Sequence, residues 1–188
     1  MPLDMRILLA IHSRSGPELD RLFRFSHELG TLPFCAALVL SIAAWCVARG
    51  ERRLALVWVA AGLATEAMHE GLKHLVARPR PDLWPHLIPH SGFSFPSGHA
   101  LASATFFPLL AWTWARARPR EKAPAWALAV FMALFVGFGR LYLGVHWPTD
   151  VLSGWALGTA LVSLAIRLAR RPGQARYDTK KDLQPTAR

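Results

Sequence analysis

Uninterrupted apolar stretches dominate the pattern of the chain. Four of them contain no Asp, Glu, Lys or Arg, and one is apolar only in its first half; in chain order they are residues 31–48, 54–76, 100–115, 123–139 and 151–166. A helix needs about 20 apolar residues to cross the hydrocarbon core of a bilayer. With their flanks all five stretches meet this length, and they lack the polar stripe that a helix of a soluble bundle shows. The pattern predicts an all-α, polytopic membrane bundle of five transmembrane helices.

The first 30 residues follow a different pattern, in which apolar and charged side chains alternate with helical spacing. Ser15 and Glu18 resemble a capping box, and Gly30 is a suitable helix terminator. We expect an amphipathic helix that lies in the interface on the outer side of the membrane. A first helix that only packs against the bundle is the alternative.

The 188 residues have the length of one domain. We assign residues 1–171 to it, with 1–30 as the interfacial segment and 31–171 as the five-span bundle. Residues 172–188 are polar and are expected to form a disordered cytoplasmic tail.

The net charge of +10 comes mainly from three clusters of Arg and Lys, which follow the first, third and fifth apolar stretches. If successive spans alternate in direction, all three clusters lie on one face, which is the positive-inside pattern. The C-terminus is then cytoplasmic, and residues 73–98 and 140–150 face outward. Because topology accounts for the positive charge, we expect no nucleic-acid partner.

The two loops that are predicted to face outward contain the residues best suited to catalysis or ligand binding. In chain order these are Lys73, Arg80, Pro96-Ser97-Gly98-His99, Arg140, His146 and Asp150. Three fixed cations beside a helix N-terminus form a site for a dense anion, most naturally phosphate. The Ser97 hydroxyl and the backbone N–H groups of Ser97, Gly98 and His99 can face the same anion.

Two histidines in one site allow one to attack phosphorus and the other to donate a proton. Asp150 follows His146 by four residues and can accept a hydrogen bond from its imidazole, which leaves the other ring nitrogen nucleophilic. Glu66 and Glu70 share a helix face with Lys73, and we expect one of them to orient Lys73 or a nearby arginine. An internal charge pair that locks helices together is the alternative.

The three blocks resemble the signature of the type 2 phosphatidic acid phosphatase superfamily. The blocks are Lys73-x6-Arg80-Pro81, Pro96-Ser97-Gly98-His99 and Arg140-x5-His146-x3-Asp150, which match at ten positions in order and spacing. The resemblance covers residues 73–150 and the surrounding helices. One position departs from it, because the superfamily usually has Ser before the third-block arginine and this chain has Gly139.

The resemblance implies a membrane-lipid phosphatase of the bacterial inner membrane, active on the outer face. His146 would form a phosphohistidine with Asp150 orienting it, and His99 would protonate the leaving oxygen and then activate water. Lys73, Arg80 and Arg140, with Ser97 and Gly98, would hold the phosphate oxygens without a metal or other cofactor.

Undecaprenyl diphosphate, phosphatidate, phosphatidylglycerophosphate and lipid A phosphate are the substrates that the resemblance implies. A lipid phosphotransferase with the same site is the alternative, followed by a non-catalytic membrane scaffold or transporter. The oligomeric state stays open.

Overall fold

The computed structural model describes residues 1–170. Those residues form seven α-helices, one short 3₁₀ turn at Pro119–Glu121 and no strand. The helices are α1 (Leu3–His12), α2 (Pro17–Glu28), α3 (Leu32–Ala48), α4 (Arg52–Val76), α5 (Gly98–Ala117), α6 (Lys122–Tyr142) and α7 (Pro148–Ala169). The predicted tail, residues 172–188, lies outside the described residues. The all-helical prediction is confirmed.

Helices α3 to α7 coincide with the five apolar stretches, but length and composition qualify fewer of them as spans. Within residues 1–170, the segments Pro119–Tyr142 and Pro148–Ala169 are long and apolar enough to cross a membrane alone. Helices α2 and α3, bent by 50°, would together form a third. Helix α3 by itself has only 17 residues, and the C-terminal half of α4 carries charged side chains. The count of five spans therefore stays a prediction.

The N-terminal segment is two helices rather than one. Helix α2 begins at Pro17 with Gly16 as N-cap and no side-chain capping bond, so the predicted capping box at Ser15 does not form. Proline is well suited to the first turn, since it lacks the N–H that would have no partner there. Helix α2 packs against α6, where the hydroxyl of Tyr142 donates to Asp20 at 2.6 Å.

The apolar core lies between α3, α4, α5 and α7. Trp58 is fully buried, packs on Phe106, and donates its indole N–H to Thr113 at 3.2 Å. Large apolar side chains also point outward; among the exposed ones are Leu40, Leu56, Leu63, Leu128, Phe131, Leu152 and Leu164. An apolar surface on so many helices needs a lipid environment, as an integral membrane protein has.

Helices α5 and α7 approach each other closely because α7 carries Gly154 and Gly158. A Cβ on Gly154 would lie 2.7 Å from the carbonyl oxygen of Ser97, and one on Gly158 would lie 2.5 Å from that of Leu101. Small residues four apart let membrane helices bring their backbones together. This contact brings the start of α5 beside the start of α7.

Candidate active site

His146 lies in the short connection between α6 and α7 and is 2% exposed. Its Nδ1 is 2.8 Å from the carbonyl oxygen of Ser94, and a carbonyl can only accept, so Nδ1 carries the proton. Nε2 is 3.2 Å from a guanidinium nitrogen of Arg80, which can only donate. Both contacts assign the same tautomer and leave the Nε2 lone pair facing a cation.

Burial, with the positive charges of Arg140 and Arg80, lowers the pKa of His146 well below its usual range. The imidazole is therefore neutral at physiological pH, which is the form that a nucleophile requires.

Arg80 is fixed by the loop that follows α4. It donates to the carbonyl oxygens of Ser91 (3.1 Å), Gly92 (3.0 Å) and Val145 (2.8 Å). Lys73 lies beside the same loop, since a Cβ on Gly92 would be 3.9 Å from its Nζ. The loop thus links Arg80, Lys73 and the segment that carries His146.

Arg140 is the most deeply buried cation of the site, with 4% of its surface exposed. It lies in the last turn of α6, and one of its terminal nitrogens is 2.9 Å from Nδ1 of His27. Its Nε has no hydrogen-bond partner among residues 1–170. A buried N–H without a partner is costly, and an anion with several oxygens would satisfy it.

The motif residues at the start of α5 have distinct roles. Ser97 is the N-cap: its hydroxyl accepts from the N–H of Ala100 at 3.5 Å, and its own N–H donates to the carbonyl of Asp150 at 3.1 Å. The Ser97 N–H is thus occupied, unlike the prediction. The N–H groups of Gly98 and His99 open the helix and have no intrahelical acceptor.

Two glycines allow His99 and its helix start to fit here. A Cβ on Gly30, between α2 and α3, would overlap the ring of His99. A Cβ on Gly98 would lie 2.6 Å from Nε2 of His69. Close approach requires glycine at both positions.

Asp150 is fully buried in the first turn of α7, but it does not hydrogen-bond to His146. One of its oxygens accepts from the N–H of Trp147 at 2.9 Å and lies 3.7 Å from Nδ1 of His146. The other is 2.6 Å from Arg78. The hydrogen bond that orients the His146 ring is made with the Ser94 carbonyl instead. Asp150 caps the start of α7 and places a carboxylate near the imidazole.

The two glutamates of α4 differ in their contacts. Glu70 lies 3.6 Å from Nζ of Lys73, which is one of the contacts that the sequence left open. Glu66 forms no ion pair among residues 1–170 and lines a groove between helices. Glu66, His69 and Glu70 each offer a potential metal-ligand atom within 4.8 Å of the others.

Sequence reasoning missed two residues that the fold adds to the site. His27, on α2, contacts both His99 and Arg140. Arg78, which has no place in the three blocks, joins Asp150 to Asp4 of α1. Their only signal was a charged or imidazole side chain near the end of a helix, which many surface residues share.

An apolar groove of about 370 Å³ leads away from His99. Its walls come from α3, α4 and α5, with Val39, Gly62 and Phe106 among the lining residues. Leu40 and Leu63 also line it and are largely exposed, so the groove opens on the outer surface of the bundle.

These features define an α-helical membrane protein with a site of cations and histidines at one end of its bundle. Residues 51–173, well over half of the chain, match the PAP2 superfamily. The chain therefore belongs to that superfamily, which confirms the resemblance of the three motif blocks.

Named relatives within the superfamily act on different lipids. The chain is 40% identical to phosphatidylglycerophosphatase B of Bacillus subtilis over 100 residues, which are 52% of this chain and 49% of the relative. It is 28% identical to an undecaprenyl-diphosphatase of Sulfolobus acidocaldarius over 152 residues, 78% of this chain and 67% of the relative. The match thus spans about half the length of the Bacillus relative.

Solved structures share the fold. The first transmembrane PAP2-type phosphatidylglycerolphosphate phosphatase from Bacillus subtilis aligns with a TM-score of 0.80 and 29% identity, over 98% of this chain and 87% of that one. Aquifex aeolicus LpxE aligns with a TM-score of 0.69 over 89% and 96% of the two chains. At 21% identity the second likeness concerns the fold alone.

Proposed function

We propose that the protein hydrolyses a phosphate monoester or diphosphate on a membrane lipid through a phosphohistidine on His146. The observation that carries this proposal is the tautomer of His146, whose Nε2 lone pair faces the guanidinium of Arg80. A neutral imidazole fixed by a backbone carbonyl is ready to attack an electrophile that the cations hold.

The reaction divides into two balanced steps. Nε2 of His146 forms a bond to phosphorus while the bond to the lipid oxygen breaks, and His99, as an imidazolium, gives that oxygen a proton and becomes neutral. His99 then takes a proton from water, whose oxygen attacks phosphorus and breaks the N–P bond. Free phosphate leaves and His146 is restored.

The cations stabilise the charge that moves among the phosphate oxygens. Arg140, whose Nε has no partner within residues 1–170, and Arg80, fixed on three carbonyls, provide preorganised donors. Lys73 adds a third charge. Phosphoryl transfer depends mainly on such positioning and electrostatics. The groove that ends at His99 would hold the lipid tail.

The candidate substrates are undecaprenyl diphosphate, phosphatidate, phosphatidylglycerophosphate and lipid A phosphate. Relatives named for three of these support the set. We further propose five spans, α3 to α7, in a bacterial inner membrane, with the site on the outer face as the arginine clusters indicate.

The test is phosphate release by detergent-purified protein across this lipid panel, with and without a chelator. His146→Ala should lose activity by at least about 100-fold, the scale on which one acid–base or nucleophilic group acts. The matched control is His90→Ala, an exposed histidine of the same outer loop, which should keep wild-type activity.

Three outcomes would contradict parts of the proposal. Full activity of His146→Ala would remove the nucleophile, and inhibition by chelator would point to a metal, for which Glu66, His69 and Glu70 are the candidate ligands. Transfer of the phosphoryl group to a second lipid in place of water would make the enzyme a phosphotransferase.

A further inference from the structure

Helix α2 ends beside His99 and Arg140, two residues of the proposed active site. It lies close to α6 because residue 139 is glycine: a Cβ there would overlap the hydroxyl of Ser26, a fully buried residue of α2. The next residue, His27, directs its ring between α5 and α6. The departure from the superfamily pattern at Gly139 is thus what admits α2 to the site.

The hydrogen bonds of His27 fix which atoms carry protons. Arg140 lies 2.9 Å from Nδ1 of His27 and can only donate, so Nδ1 is an acceptor. Nε2 of His99 lies 2.8 Å from the same Nδ1 and must therefore donate to it. The carbonyl oxygen of His27, also an acceptor, lies 3.1 Å from Nε2 of His99 and requires the same proton.

Two donors of the site thus converge on one lone pair. Arg140 is the buried cation of the site, and His99 is the residue that must donate a proton to the leaving oxygen. A phosphate oxygen would accept from a guanidinium and an imidazole N–H in the same way. The Nδ1 lone pair of His27 has the hydrogen-bonding character of that oxygen.

We propose that His27 is a displaceable placeholder, whose Nδ1 takes the position of a phosphate oxygen between Arg140 and His99 and thereby sets the affinity of the site for phosphate. This inference rests on the proposed phosphatase site. Bound phosphate must displace the ring, so its observed affinity is reduced by the stability of the His27 contacts. Release of product phosphate is favoured for the same reason, since the ring returns as phosphate leaves.

The placeholder requires neutral His27. Burial, followed by the positive charge of Arg140, lowers the pKa of His27, while Glu28 opposes the shift. The ionisable groups that face the ring are His99 of α5, Arg140 of α6 and Glu28 of its own helix. Protonation of His27 would place an Nδ1–H opposite two other donors, Arg140 and His99. At low pH the His27 ring should therefore leave this position and no longer compete with phosphate.

The experiment is direct titration of the detergent-purified full-length protein with inorganic phosphate, without turnover. His27→Ala should bind phosphate about tenfold more tightly than wild type near pH 8. The ratio of the two Kd values should approach one as the pH falls through the lowered pKa of His27. Taking this ratio removes the titration of phosphate itself, which is common to both proteins.

Two further variants separate the placeholder from simple damage. His27→Gln keeps an acceptor at this position but cannot titrate. Its phosphate affinity should stay as weak as that of wild type near pH 8, and the ratio of its Kd to that of His27→Ala should not change with pH. Gly139→Ala adds a methyl group without a hydroxyl, should push α2 away, and should bind phosphate as tightly as His27→Ala. Adding Ser26→Ala removes the overlapping hydroxyl and should return the affinity toward wild type.

Equal or weaker phosphate binding by His27→Ala would overturn the proposal, as would a Kd ratio that does not change with pH or an absence of phosphate binding in every variant. The failure of the proposed function is a separate result: no lipid would release phosphate, even if the titrations behaved as expected.

Discussion

The two sides of α5 are packed in opposite ways. Toward α7, Gly154 and Gly158 bring the backbones into contact, and the interface has no room for another Cβ. Toward α3 and α4, small residues leave a groove of about 370 Å³ that opens between exposed leucines.

The same helix therefore has one rigid face and one accommodating face. The rigid face fixes Ser97, His146 and Asp150 relative to one another, which suits the proposed phosphoryl transfer, since catalytic groups tolerate little displacement. The accommodating face suits a flexible hydrocarbon chain, which needs apolar surface but no fixed geometry.

Breaking the rigid face should have the largest effect. Gly158→Val places a branched side chain against the Leu101 carbonyl, so we expect a loss of stability of about 1–3 kcal/mol and a loss of activity of about 100-fold or more. Thermal unfolding in detergent and phosphate release are the measurements. Gly71→Ala on α4, where a Cβ meets nothing within 4 Å, is the control and should be at least as stable as wild type. Normal activity of Gly158→Val would show that the α5–α7 contact does not position the site.

The electrostatics of the rigid face can be tested through pH. Because the pKa of His146 lies below its usual range, wild-type kcat/KM should stay high well below pH 6.5 and fall only when the imidazole is protonated. Arg80→Gln removes one of the charges that lower this pKa, so the acid limb should move to higher pH. On the proposed phosphate-binding role of Arg80, the variant also loses a contact to the substrate, which corresponds to roughly 10- to 100-fold in rate. An acid limb that stays in place would mean that another group causes it.

A smaller effect is expected where α1 supports the rigid face. Arg78→Met leaves buried Asp150 without its cation, and we expect kcat to fall by about tenfold with little change in KM, since Arg78 acts through Asp150. Arg78→Lys should recover part of the loss. Arg118→Met, which breaks the exposed pair with Glu121, should have almost no effect on either constant. A rise in KM with unchanged kcat would instead indicate that Arg78 binds the lipid headgroup.

The smallest effect should come from narrowing the accommodating face. Ala36→Phe places a ring at the groove and should raise KM for long-chain lipid phosphates by about three- to tenfold. A short water-soluble phosphate ester should be hydrolysed as before. Ala37→Phe is the matched control, since Ala37 is exposed on the same helix and does not line the groove. An equal effect on both substrates would place the tail elsewhere.

Much of the fold could be predicted because its determinants are local. The apolar stretches coincide with α3 to α7 within a few residues, and the prolines between residues 79 and 96 exclude a helix there. Glu70 lies beside Lys73, one of the pairings that the sequence left open, because a helix brings residues three apart together. The N-terminal capping box failed, since a proline at residue 17 fixes the helix start one residue later than Ser15 would.

By itself the sequence determined the helical class, the three motif blocks and the superfamily, because periodicity and motif spacing are properties of neighbouring residues. Tertiary structure decided which atoms meet. In the folded chain the Nδ1–H of His146 donates a hydrogen bond to the Ser94 carbonyl rather than to Asp150. Arg78 pairs with Asp150, and His27 lies between Arg140 and His99. These contacts join residues up to 113 positions apart, and they depend on helix packing through glycines such as Gly139, which no local pattern encodes.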